Sequence, residues 1–255
     1  FMEIREGSIT DLENIKLFIS KNIRREHILS KSDELLKWLY LNDSGINFIL
    51  AEDDVKIIAI LGFIPNNRFD SSLTDLISGS IWAVSEKAPP GIGLLLLKYL
   101  FKTYNPMIYL SLGISVDSRK ILSRLGHRIF SLNHFVYHAK ENFNSNTRFC
   151  LEINNSIFEK IDHNYLPKKS FDFFDNKYLS NPFYQYIIIN LDNHSFVVGR
   201  IIQLKKSKIF RIVDFYGDFF SADCMNAVFS KFIRSNCLDY IDFFNYGLDI
   251  SLLEK

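Results

Sequence analysis

The chain has 255 residues, 47% of them hydrophobic, with 30 Lys and Arg against 29 Asp and Glu, for a formal net charge of +1. That balance fits one large or two medium globular domains and leaves no basic footprint for nucleic acid. Cys150, Cys224 and Cys237 lack metal-ligand spacing and suit a reducing cytoplasm, and no apolar run approaches the roughly 20 residues that span a bilayer.

Met2 to Arg5 alternates as a short strand, and Ser8 to Asp11 offers a helix cap ahead of Leu12, Ile15, Phe18 and Ile19 on one face. A second helix is expected over 30–42, with Ser32 as its cap and Leu35, Leu36, Leu39 and Tyr40 as its apolar stripe. Trp38 stands to one side of that stripe, either packed inward or facing a ligand. Ile46 to Ala51 and Val55 to Pro65 flank the acidic turn Glu52-Asp53-Asp54 as a hairpin. A polar loop carries Asp70 and Asp75, and Leu76 to Val84 follows as a buried strand.

The most informative stretch begins at Trp82. Trp82-Ala83-Val84 leads through Ser85-Glu86-Lys87-Ala88-Pro89-Pro90 to Gly91-Ile92-Gly93-Leu94, and a Leu-rich segment runs on to Tyr104. This reads as strand, tight loop and helix. Glycines 91 and 93 let the backbone approach a ligand, and free N–H groups at a helix N-terminus favour a phosphate. An ordinary strand-to-helix turn has the same pattern. Met107 to Ile114 is a further strand, opened by Gly113, then a short helix over 117–125 stops at Gly126, and Arg128 to His138 reads as a closing strand pair. His134 and His138 share one strand face but lack a nearby third ligand, so no metal is expected.

The Ser/Asn-rich piece at 141–147 marks a boundary, giving units over 2–140 and 148–255. Beyond it the order begins again. There is a hairpin over 186–204, a strand at Phe210 to Tyr216, a helix from Asp223 to Ser235, a strand from Leu238 to Tyr246 and a helical start at 249–255. Asp214 and Tyr216 either face an acceptor or, in the case of Asp214, pair with Arg211. The aromatic-rich run from Phe171 to Tyr186 reads as a packed interdomain seam or a sugar-stacking wall. The second unit stops where the first still has strands, so a further C-terminal piece is expected.

The order over 2–138 resembles the GNAT superfamily of acyl-CoA-dependent N-acetyltransferases. The family loop, Arg or Gln followed by x-x-Gly-x-Gly/Ala, is matched at Gly91 and Gly93 but opens on Ala88. Leu125-Gly126-His127 occupies the family's later Leu-Gly-Phe-like turn, and Leu122 stands where a tyrosine general acid is frequent. His27-Ile28-Leu29 leading to Trp38, Gly62-Phe63-Ile64-Pro65, the Trp82 strand and the run from Asp239 to Gly247 are similar to a narrower, two-unit group that accompanies nucleotide-sugar and surface-polysaccharide genes.

The resemblance implies an α/β fold with a mixed sheet, that is, a GNAT-like acyltransferase unit followed by a second, degenerate one. It implies acetyl-CoA or another acyl-CoA as co-substrate, with pyrophosphate on the N–H groups of Gly91, Ile92, Gly93 and Leu94 and the pantetheine arm near Trp82, Ala83 and Val84. A strand N–H at Ala83 or Val84 would polarise the thioester. His27 and Glu86 are the expected bases, and Trp38, Asp70, Asp214 and Tyr216 the expected acceptor contacts. The acceptor implied is an amino-sugar amine, nucleotide-linked, acted on in the cytoplasm. The rivals are an aminoacyl or peptidyl transferase on paired units and a non-catalytic CoA- or sugar-binding module.

Overall fold

The computed structural model describes residues 2–139, 168–192, 195–217 and 222–246, with the side chains of 222–224 set aside. The expected boundary at 141–147 and the helical start at 249–255 lie outside the described residues. The chain divides into two compact units, Phe1–Arg128 and Ile129–Lys255. No described helix is long and apolar enough to cross a membrane.

In the first unit, β1 (Met2–Gly7) leads through the Ser8 and Asp11 capping box into α1 (Leu12–Asn22), which buries the expected Leu12, Ile15, Phe18 and Ile19. A 3-10 turn at Ile28–Ser30 precedes α2 (Asp33–Tyr40), whose first turn is closed by the Leu35 N–H donating 3.1 Å to Ser32 Oγ. The helix is therefore shorter than its apolar pattern, because the residues before Ser32 form the separate turn. β2 (Ile46–Asp53) and β3 (Lys56–Pro65) form the hairpin, followed by β4 (Leu76–Val84), α3 (Ile92–Tyr104), β5 (Ile108–Ser111) and α4 (Val116–Arg124). The sheet order is β1-β2-β3-β4-β5, antiparallel except for the parallel β4–β5 pair across α3. Unbroken burial from Ile46 to Ala51 shows that this sheet is covered on both faces.

The hairpin turn is the two residues Asp54 and Val55, at φ 46° and 69°. Both central positions are left-handed, a geometry that suits the twist of the flanking strands but costs a β-branched residue about 1–2 kcal/mol. Val55 is 89% exposed and gains nothing in return from packing. Val55→Gly is expected to raise stability by about 1 kcal/mol, read as a higher urea midpoint with an unchanged slope.

The second unit has β6 (Asn133–Tyr137), a short helix α5 (Phe171–Phe174) continuing into a π turn (Asp175–Leu179), β7 (Ile187–Asn190), β8 (Phe196–Leu204), β9 (Ser207–Tyr216), α6 (Ala222–Ser235) and β10 (Tyr240–Asn245). Its sheet order is β6-β10-β9-β8-β7, with β9 and β10 parallel across α6. Hairpin, strand, helix and parallel strand thus occur in the same order in both units. The core packs Val197, Phe210, Phe229, Phe232, Ile233 and Ile241. The expected closing strand pair over 128–138 is one strand, β6, which pairs antiparallel with β10 of the second sheet.

Candidate functional site

The loop after β4 is built by local turns. Ser85 N–H donates to Ile58 O at 2.8 Å, and Ala88 N–H donates to Ser85 O at 2.9 Å. Two prolines then deliver the chain to Gly91, whose φ of 85° is left-handed and whose Cβ direction is open for 4 Å. Ile92 N–H is taken at 3.4 Å by Pro89 O, and Leu95 N–H by Gly91 O at 3.1 Å. The N–H groups of Gly91, Gly93 and Leu94 have no partner among the described residues. Three free donors at the positive end of a helix make an anion cradle. Ile92, expected as a fourth, is already bonded.

Gly93 is buried because α3 lies directly on β4. A Cβ there would stand 3.1 Å from both Trp82 Nε1 and Val84 Cγ2. Trp82 Nε1–H is buried with no hydrogen-bond partner among the described residues. An orphaned buried donor beside a phosphate-type loop fits a site that takes a ligand acceptor.

β4 and β5 part company beyond the cradle's strand. β5 pairs only with Leu76 to Gly79, so among the described residues Ser80 to Val84 leave an edge uncovered. The register of β4 on β3 slips by one residue at Ser80, a bulge that bends β4 where the gap begins. The Ser85–Ile58 bond fixes the alternation along β4. Ala83 and Ile81 turn their backbone groups to β3, whereas Trp82 and Val84 turn theirs into the gap. Of the two strand donors expected, the Val84 N–H faces the gap and the Ala83 N–H faces β3.

The narrow end of the gap is lined by groups that sequence alone does not single out. Tyr109 lies so close over Gly79 that a Cβ on Gly79 would stand 2.0 Å from its hydroxyl. Burial pushes that phenol up to about 12, against an opposing Ser111 bond, so it stays protonated. Phe101 and His127 box the ring at 5.3 and 6.2 Å. On the other face Tyr40 and Ser80 share a 2.7 Å hydroxyl bond, and Ser80 Oγ donates to Gly62 O at 3.0 Å. Burial pushes Tyr40 up to about 12, with the Ser80 bond opposing. Helical and strand patterns mark Tyr40 and Tyr109 only as apolar-face residues. Their meeting with Ser80 and Gly79 is a tertiary fact.

The expected catalytic residues are placed differently. His27 Nδ1 accepts from Leu29 N–H at 3.2 Å as the cap of a 3-10 turn. Its one acceptor nitrogen is therefore used, and the neutral ring carries its proton on Nε2. Burial, then the Arg24 charge, lowers its pKa. Glu86 is exposed and lies in the turn that follows β4, at the cradle end of the strand. Neither residue bonds to the cradle or to the gap edge among the described residues. Leu122, where an acid was sought, is buried at 4% exposure.

Trp38 and its neighbour Leu39 accept from the Arg68 guanidinium through their carbonyls, and the Trp38 ring packs 6.2 Å from Phe69. Asp70 is buried and holds its own loop, accepting from Ser72 N–H at 2.9 Å and Ser72 Oγ–H at 2.6 Å. In the second unit Asp214 does not pair with Arg211. It accepts from Lys169 Nζ and, at 2.7 Å, from the Tyr178 hydroxyl. Burial alone would raise that carboxyl, but the charges of Lys169 and Lys177 and these bonds hold it below its ordinary range. Tyr216 is buried in a ring cluster with Phe174 and Phe196, so the run from Phe171 packs on the core of its own unit. Arg211 pairs instead with Asp242, which also binds His134 at 3.1 Å. No group of three possible metal ligands occurs among the described residues.

Solved structures with this arrangement of elements include acetyltransferases. A GCN5-related N-acetyltransferase from Anabaena variabilis superposes with a TM-score of 0.60 at 14% identity, over 98% of this chain and 67% of that one. The chain has the GNAT fold. A protein of acetyltransferase class from Pyrococcus horikoshii gives a TM-score of 0.60 at 13% identity, over 99% of this chain and 82% of its own. Eis1 from Mycobacterium abscessus gives 0.51 at 11% identity, over 95% and 65%. No family model matches the sequence, and no curated protein sequence matches it. Because these neighbours extend over almost the whole chain, the GNAT likeness includes the second unit as well as the first.

Proposed function

We propose that the protein is an acyl-CoA-dependent N-acyltransferase whose first unit holds the acyl donor. The observation that carries this is the alignment of two independent features. Three free N–H groups open α3, and the uncovered edge of β4 leads from them to the bulge at Ser80. A CoA pyrophosphate fits the cradle of Gly91, Gly93 and Leu94, and the amides of its pantetheine arm match the backbone edge of Trp82 and Val84. Acyl-CoA supplies an activated thioester. This chain supplies position and exclusion of water at the Tyr109 end, and the Val84 N–H, which faces the gap, pairs with the pantetheine arm. Ala88 contributes no side chain to the loop, so donor binding rests on backbone groups.

The acceptor implied by the resemblance is the amine of a nucleotide-linked amino-sugar. Neither His27 nor Glu86 bonds to the gap edge among the described residues, so in this reading the amine gives its proton to water. Acetyl-CoA at a hundred times its Kd is expected to stabilise the fold by about 2.7 kcal/mol, read as a rise in melting temperature. Thiol release on adding amino-sugar nucleotides then distinguishes turnover from binding alone. No melting shift at saturating acetyl-CoA would overturn the donor assignment. A shift with no thiol release from any amine would leave a CoA-binding module instead of an enzyme.

A further inference from the structure

A cleft at the edge of the second sheet is independent of the acyl-donor site. β7 pairs with β8 only from Phe196 to Gly199, so β8 continues from Arg200 to Leu204 with its outer edge uncovered. Between that edge and the segment entering β7 lies a cleft of about 490 Å³. Phe183, Tyr184, Gln185 and Ile187 line one side, and Arg200 to Ile202 the other. The volume is in the usual range for small-ligand sites, roughly 300–1,000 Å³.

Two polar features converge there. The Arg200 guanidinium is seated over the Tyr184 ring, 4.3 Å from its centroid, and donates to no carboxylate or carbonyl among the described residues. Stacking fixes the plane of the fork without using its donors. The second feature is backbone. Leu191 N–H donates to Ser195 O at 2.9 Å, which sets the alternation along β7 and β8. Counting by twos, Val197 and Gly199 face β7, and Ile201 is the next residue whose N–H and C=O face the outer edge. No described strand covers that pair of groups.

We propose that this cleft binds the C-terminal end of an extended peptide. Ile201 N–H and C=O would pair with the last amide as an added strand residue. The planar Arg200 fork would take the terminal carboxylate through two parallel bonds. Phe183, Ile187 and Ile202 would receive an apolar terminal side chain. A phosphate also suits a guanidinium, but it has no use for a strand edge beside it.

Calorimetric titration of the full chain with acetyl-Ala-Ala-Phe as the free acid, against the same peptide as its C-terminal amide, tests the assignment. The acid is expected to bind at least tenfold more tightly than the amide, and Arg200→Ala to weaken the acid by at least tenfold. Arg200→Lys, which keeps the charge but loses the fork, is expected to weaken it at least threefold, and it carries the comparison if the alanine variant does not fold. Absence of acid binding, equal binding of acid and amide, or undiminished binding by the Arg200 variants would overturn the proposal. Inorganic phosphate binding more tightly than the peptide acid would also overturn it, in favour of a phosphate site.

Discussion

Gly91→Glu is expected to abolish the stabilisation of the protein by acetyl-CoA. The position separates charge from sterics unusually well, because an added Cβ meets nothing within 4 Å. The backbone there is left-handed, at φ 85°, so the variant loses about 1–2 kcal/mol of stability from strain. Its carboxylate, however, stands at the positive end of α3, where it competes for the N–H groups of Gly91, Gly93 and Leu94 and repels a pyrophosphate. A loss of at least a hundredfold in affinity is expected, about 2.7 kcal/mol. Gly91→Asn is the control. Asparagine tolerates left-handed backbone and adds no charge, so it is expected to retain binding within a few-fold. Calorimetric titration of acetyl-CoA into both variants reads the difference. Unchanged affinity in Gly91→Glu would remove the pyrophosphate from this loop.

Asp242→Ala is expected to have the largest effect on stability. Asp242 is fully buried on β10 and accepts from Arg211 Nε at 2.9 Å, from Arg211 Nη2 at 2.5 Å and from His134 Nε2 at 3.1 Å. Through these it ties side chains of β9 and β6 to the strand between them. Removing one member of a buried pair costs about 3–5 kcal/mol because the other charge is left without a partner. The Arg211 and His134 side chains are 32% and 44% exposed, so water softens the loss, and about 3 kcal/mol is expected. A urea melt of the intact chain measures it.

The same carboxylate makes stability depend on pH. Burial alone would raise its pKa, but the Arg211 and His134 bonds more than offset that and lower it below the ordinary value. A carboxyl with a depressed folded-state pKa contributes its full stabilisation above the unfolded value of about 3.9. That contribution is lost as pH falls from there through the folded pKa. Wild type is therefore expected to lose more stability than Asp242→Ala below about pH 4, so their melting temperatures converge. Parallel curves would show that Asp242 is not the titrating group.

Much of the first unit was legible because its signals are local. The Ser8 and Asp11 capping box, the α1 face of Leu12, Ile15, Phe18 and Ile19, the β2–β3 hairpin and the Gly91 loop each depend on residues a few positions apart. Element order carried the GNAT resemblance when no single motif was complete, because order survives where side chains such as Ala88 and Leu122 depart from the pattern. The readings that failed concern partners distant in sequence. Arg211 was offered Asp214, three residues away, but chose Asp242 on the neighbouring parallel strand, and Asp214 turned to Lys169 and Tyr178. The strand at 133–137 reads locally like the end of the first unit, yet its pairing with β10 puts it in the second sheet.

By itself, the sequence determined that the chain is two α/β units of the same order and that Gly91 to Leu94 opens a helix beside a strand. Periodicity, caps and glycines act within a few residues, so they fix elements and their sequence. Tertiary structure alone decided which N–H groups are free, that β4 and β5 part after Gly79, and that Ala83 faces β3 while Val84 faces the gap. It also made His27 Nδ1 the cap of a 3-10 turn, accepting from Leu29 N–H, and it brought the Tyr109 hydroxyl over Gly79. Hydrogen-bond partners and strand registers are chosen by packing across the whole unit, and no short window of sequence contains that information.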